Sequence, residues 1–153
     1  MAGLKLIGGT LTLETGSVVD ESIDSGTNID ADKLQHVHKP GTNFDLAIGA
    51  TPVAREEIVF VAGSAGVIRG FHALLNDTGT GTDVDFDLKV NGSTVLTGTV
   101  NITDSDADKA VVDGVLSSTA LALNDVVSIE LTVTTSTGAQ GPFAWVDIEE
   151  LAP

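Results

Sequence analysis

The sequence predicts an all-β protein, a jelly-roll-like antiparallel β-sandwich with an extended N-terminal arm. Three observations predict it. Residues 83–103, DVDFDLKVNGSTVLTGTVNIT, read as two strands around a tight turn. Residues 126–134 give the cleanest alternation in the chain, Val127, Ile129, Leu131 and Val133 against Ser128, Glu130, Thr132 and Thr134. The composition, with 17 Gly and only four Pro, is dominated by Gly, Thr, Ser, Val and Asp and is poor in helix formers, which suits pleated, half-buried strands.

The hairpin is the clearest element. Val84, Phe86, Leu88 and Val90 alternate with Asp83, Asp85, Asp87 and Lys89, the pattern of a strand with one face buried and one in water. Asn91 and Gly92 suit a type I′ turn, whose two central residues both need positive φ. The return limb puts Leu96, Val100 and Ile102 on one side and Thr97, Thr99 and Asn101 on the other, with Gly98 as a bulge position.

The chain divides into two regions, an arm over residues 1–41 and a sandwich over residues 42–153. In the arm, residues 4–7 and 10–14 read as short strands about Gly8 and Gly9, with Leu11 and Leu13 alternating against Thr10 and Thr12. A polar stretch follows. Residues 30–35 read as one or two helical turns that Pro40 and Gly41 end. So few apolar side chains make no core of their own, so the arm orders against something else, a sister subunit or a larger surface. Its apolar residues Leu4, Leu6, Ile7, Leu11, Leu13 and Leu34 are the candidate contacts there, and Trp145 is the candidate anchor in the sandwich.

In the sandwich, strands are expected over residues 43–50, 57–62, 67–75, 110–112 and 142–151 besides the hairpin and residues 126–134. Residues 67–75 are apolar on both faces apart from Arg69 and His72, which marks a central strand. Residues 76–83, NDTGTGTD, are turn chemistry throughout. About eight such strands require two packed sheets.

Charge and composition exclude several functions. Seven Lys plus Arg stand against 22 Asp plus Glu, a formal charge of −15 that repels phosphate backbones, so nucleic acid is not the expected partner. No apolar run approaches the roughly 20 residues of a membrane span, and the first ten residues lack the length of apolar stretch that a signal peptide needs. The absence of cysteine leaves neither disulfides nor a thiolate metal site. No cysteine nucleophile, G-x-S-x-G, H-E-x-x-H or phosphate-binding glycine loop occurs, so the expectation is a protein that is not an enzyme.

Two metal sites can be drawn, though no cofactor is expected. His36 and His38 in an extended segment point the same way, and three chains meeting on an axis would place their imidazoles around one transition metal; hydrogen bonding within an interface is the plainer account. Asp104, Asp106 and Asp108 have the spacing of a calcium loop, yet Lys109 stands where the glycine should be and Val115 where the bidentate Glu should be, which favours a solvated loop. The Asp83, Asp85 and Asp87 row reads as the wet face of a sheet. His72 reads as a satisfied, partly buried histidine. Phe143 and Trp145 share a strand face with Asp147 and Glu149, a sugar platform or an interface anchor.

The succession Lys89-Val90-Asn91-Gly92, Thr94-Val95-Leu96, then Leu121-x-Leu123-Asn124-Asp125-Val126-Val127-Ser128-Ile129 and a closing apolar strand resembles β-sandwich modules of tailed-bacteriophage virion proteins. Residues 29–38, IDADKLQHVH, resemble the N-terminal part of phage proteins of this size. Such modules usually carry Gly where this chain has Asn124, which also tolerates a left-handed backbone. The resemblance implies a structural virion protein made in the host cytoplasm: a homotrimeric decoration or cement protein that binds the major capsid protein and stabilises the capsid surface. The alternative is a head-fibre or tail-fibre module that binds host glycans through loops such as residues 76–83.

Overall fold

The computed structural model describes residues 36–150. These form eleven strands: β1 (His36–His38), β2 (Gly41–Thr42), β3 (Arg55–Val61), β4 (Gly66–Asp77), β5 (Gly81–Val90), β6 (Ser93–Thr94), β7 (Val100–Thr103), β8 (Val112–Asp113), β9 (Ala120–Leu121), β10 (Val126–Thr137) and β11 (Gln140–Glu150). All pairings are antiparallel. Sheet A runs β1-β11-β4-β8, with β2 also on β11 and β9 also on β4; sheet B runs β3-β10-β5-β6, with β7 also on β5.

Strand alternation builds one core between the sheets. Ile68, Phe71, Ala73 and Leu75 of β4 and Ala144, Val146 and Ile148 of β11 face Val84, Phe86 and Leu88 of β5 and Val127, Ile129 and Leu131 of β10, all buried. Each of the larger side chains contributes about 1.5–3 kcal/mol by leaving water. The apolar reading of residues 67–75 is explained: β4 lies between β11 and the short strands β8 and β9.

The expected Asn91-Gly92 turn is present, with φ of 50° and 78°, and Asn124 takes the left-handed conformation at φ 69°. The return limb, however, is interrupted. Lys89 pairs with Thr94 and Phe86 with Val100, so residues 95–99 leave the ladder. Val95 and Leu96 are both buried there, and Leu96 bridges to Leu116 instead.

Residues 43–50, expected as a strand, are turns. Phe44 and Asp45 have φ of 56° and 52°, and Leu46 and Ala50 donate backbone hydrogen bonds back to Asn43 and Ala47. The burial of Phe44 decides this: its ring enters the core 6.0 Å from that of Phe86, while its N–H donates to Thr42 Oγ1 and its carbonyl accepts from Arg55. The predicted strand at residues 110–112 falls two residues later, at β8, and the loop expected over residues 76–83 contracts to residues 78–80 because β4 and β5 both extend into it.

The sandwich also begins earlier than residue 42. His36, Val37 and His38 pair with Glu150, Glu149 and Ile148 on the edge of sheet A. The candidate arm contacts Leu4, Leu6, Ile7, Leu11, Leu13 and Leu34, and the expected helical turn at residues 30–35, lie outside the described residues.

Candidate functional site on the outer face of sheet A

In β11 the alternation turns Ala144, Val146 and Ile148 inward, so Phe143, Trp145, Asp147 and Glu149 project outward, as the sequence predicts. The register then supplies neighbours from strands distant in sequence. Trp145 lies opposite His72 of β4, and His72 lies opposite Asp113 of β8. The Trp145 and His72 rings stack at 4.8 Å with 24° between planes, and Phe143 packs against Trp145 at 5.7 Å. Phe143, His72 and Trp145 thus form one aromatic strip.

Charged groups border it. Asp113 Oδ1 lies 2.6 Å from His72 Nδ1, and Asp147 Oδ2 lies 3.8 Å from His72 Nε2, so the imidazole sits between two carboxylates. Lys39 Nζ donates to Asp147 Oδ2 at 2.9 Å. Farther along, Arg69 Nε donates to Glu149 Oε2 at 2.7 Å, and that bond holds the guanidinium pKa above its ordinary value. Past Phe143 at the other end, a groove of about 800 Å³ opens, lined among others by Leu46, Ile48, Leu74, Asn76, Lys109 and Pro142.

The strap that brings Asp113 to His72 depends on a glycine. A Cβ on Gly114 would stand 2.9 Å from the Phe71 ring and 3.1 Å from Val100 Cγ2, so only glycine lets this segment lie on the core. Gly114 N donates to Phe71 O and fixes it there.

The outer face of sheet B is different. Asp83, Asp85 and Asp87 of β5 form the expected row, and each carboxylate accepts from a neutral donor on the return limb: Asn101 Nδ2 at 2.7 Å, Thr99 Oγ1 at 2.8 Å and Thr94 Oγ1 at 2.6 Å respectively. Asn101 Nδ2 also lies 3.2 Å from Asp85 Oδ1. Lys89 bonds Glu130 at 2.7 Å, which raises its pKa, and lies 3.5 Å from Glu56. Glu56 accepts from Ser128 Oγ at 2.6 Å, and this lowers its carboxyl pKa.

The other sequence-predicted residues are placed as follows. His36 and His38 do point the same way, with rings 6.4 Å apart and 13° from parallel. His38 Nε2 is 3.1 Å from Glu150 Oε2, and its ring packs at 5.1 Å on Phe60 of β3. Asp106 and Asp108 turn to separate tasks: Asp106 Oδ2 accepts from Thr103 N, whereas Asp108 Oδ1 accepts from Thr78 N and Oγ1, bonds that hold the Asp108 carboxyl below its usual range. Among the described residues no group of three or more His, Cys, Asp or Glu side chains is arranged to hold a metal ion. His72 and Asp113 were not singled out together in the sequence, because only the β4 and β8 register joins them.

No protein-family model and no curated protein sequence matches the chain. Among solved structures, the chain is similar to a sugar-binding protein, the EclA C-terminal domain, with 10% identity over 74% of this chain and 78% of that one and a TM-score of 0.36. It is also similar to the carbohydrate-binding module CBM36 in complex with calcium and xylotriose, with 19% identity over 74% of this chain and 98% of that one and a TM-score of 0.32. Likeness at this level carries no argument about what the chain binds.

Proposed function

We propose that this chain is a non-catalytic attachment module of a phage particle, a decoration or cement protein that docks on the major capsid protein through the outer face of sheet A. The observation that carries the reading is the double use of β11. The strand displays Trp145 and Phe143 on its outer side, and along its edge it receives β1, the strand into which residues 1–35 lead. The arm is thus rooted on the sheet that carries the aromatic strip.

The composition of the strip supports docking. Trp and Arg are enriched among residues that dominate protein interfaces, and Trp145 lies here between two aromatic neighbours while Arg69 stands farther along the same face. Stacking on His72 fixes the indole before a partner arrives, which lowers the ordering cost of binding. The Asp-rich face of sheet B, on the opposite side of the sandwich, would remain in solvent and keep particles apart by charge. The resemblance of residues 89–96 and 121–129 to virion modules points the same way.

The test uses capsids of the phage that encodes the chain, stripped of this protein. The full chain is expected to bind them and raise their disruption temperature, and Trp145→Ala to lose both effects. Capsids left unbound by the wild-type chain overturn the reading.

One observation favours a second reading, a glycan-binding fibre module. Phe143 is 38% exposed beside the groove, which combines apolar lining with the polar side chains of Asn76 and Lys109. Aromatic and apolar lining with a few placed polar groups is the usual make-up of a small-ligand site. In that case, host-surface glycans would shift the NMR signals of the groove residues without any capsid, and Phe143→Ala would abolish the shifts.

A further inference from the structure

We infer that the free edge of β3 is the seat of an arm strand, residues 10–14, from a second copy of this chain. The inference rests on the assembly role proposed above and names the surface used. Among the described residues β3 pairs only with β10, and its other edge has no strand partner among them. Exposed edges are ordinarily blunted by charge, proline or irregularity. Here the blunting is confined to Arg55, Glu56 and Glu57; the rest, Ile58-Val59-Phe60-Val61, is apolar. Ile58 is 69% and Val61 55% exposed. The register shifts between their partners, Ser128 and Val126, because Val127 pairs with Phe60 rather than Val59. This bulge brings Ile58 and Val61, three residues apart, to the same outer face.

Residues 10–14, TLTLE, fit that edge. Leu11 and Leu13 fall on one face of an extended strand and would cover Ile58 and Val61, while the backbone would complete the ladder. The arm also starts at the right place. His38, at the end of β1, packs its ring on Phe60 of β3, so the described chain begins beside this strand. The 22 residues from Glu14 to His36 span up to about 70 Å when extended, enough to reach a neighbouring copy. Head-to-tail exchange of one arm per edge gives a ring where the rotation between copies closes.

The test exploits the lack of cysteine in the chain. Full-length Leu13→Cys and Ile58→Cys variants, one of them tagged, are mixed and mildly oxidised. A disulfide-linked heterodimer is expected, well above a control that pairs Leu13→Cys with Val111→Cys, an exposed apolar position outside β3. In a separate experiment, Ile58→Lys should lower the light-scattering mass from that of a trimer to that of one chain, with an unchanged circular dichroism spectrum because the side chain is exposed. Linkage no stronger than the control, or a wild-type chain that is monomeric, overturns the inference. So does linkage found only within single chains of the double Leu13→Cys/Ile58→Cys variant, which would mean that the arm returns to its own edge. Capsid binding is read independently: a cross-linked ring that ignores capsids keeps this inference and removes the virion reading, and bound capsids without the cross-link do the reverse.

Discussion

The outer faces of the two sheets are built on the same antiparallel ladders and the same alternation, yet the acid row of one and the aromatic strip of the other satisfy their polar groups in different ways. On sheet B, Asp83, Asp85 and Asp87 accept from Asn101, Thr99 and Thr94 on the return limb that follows closely in sequence, so the acid row is completed locally. On sheet A, Asp113, His72, Trp145, Asp147 and Lys39 come from four separate segments and meet only through the strand register. The first face is self-contained and suited to water. The second is assembled from remote pieces, fixes aromatic rings at the surface, and is the face proposed above for docking. Like charges in a row are thus not in themselves a sign of a site; the identity of their donors decides.

The largest effect that would break this contrast concerns binding. Trp145→Ala should cost at least about 2 kcal/mol of partner affinity, roughly 30-fold, as expected for an interface anchor, whereas Asp85→Asn should leave affinity within a factor of about two. A capsid titration of both variants measures this, and the opposite ranking would move the working face to sheet B. Next in size, Gly114→Ala should destabilise the fold by about 1–3 kcal/mol in urea denaturation, because the added methyl meets Phe71 and Val100. In the same variant the His72 ring signals should shift by NMR, since Asp113 rides on that strap; unchanged His72 signals would show that the strap is not what positions Asp113.

A smaller effect is expected on the acidic row. Asp85→Ala should change stability by no more than about 1 kcal/mol, because exposed carboxylates and their hydroxyl partners exchange readily for water. The smallest concerns pH at the end of sheet B. Asp125 accepts from Ala122 N and Asn91 Nδ2, and these bonds lower its pKa below the 3.8 of a free carboxyl. Its contribution is therefore complete above about the unfolded value and is lost as the pH falls through the lower native one. Melting curves between pH 5 and 2 should decline less steeply for Asp125→Asn than for the wild type.

Much of the fold was legible because its signals are local. Asn91, Gly92 and Asn124 announce their own backbone conformations, and the alternation in β5, β10 and β11 assigns each side chain to a face without reference to any other strand. Residues 43–50 misled because Phe44 supplies an apolar residue in a strand-like pattern, while its burial requires a left-handed turn that only the packing against Phe86 reveals. The candidate site was half legible for the same reason. Phe143, Trp145, Asp147 and Glu149 share one strand, whereas His72 and Asp113 join them across strand pairs whose register no spacing in the sequence encodes.

The pairing of β1 with β11 has a consequence for the order of events during synthesis. The first strand described is held by the last, so the root of the arm cannot be secured until residue 150 has left the ribosome. A nascent or prematurely ended chain would have neither a fixed arm nor the aromatic strip. The face proposed above for docking is thereby completed only after β11 has been made, late in synthesis of this domain.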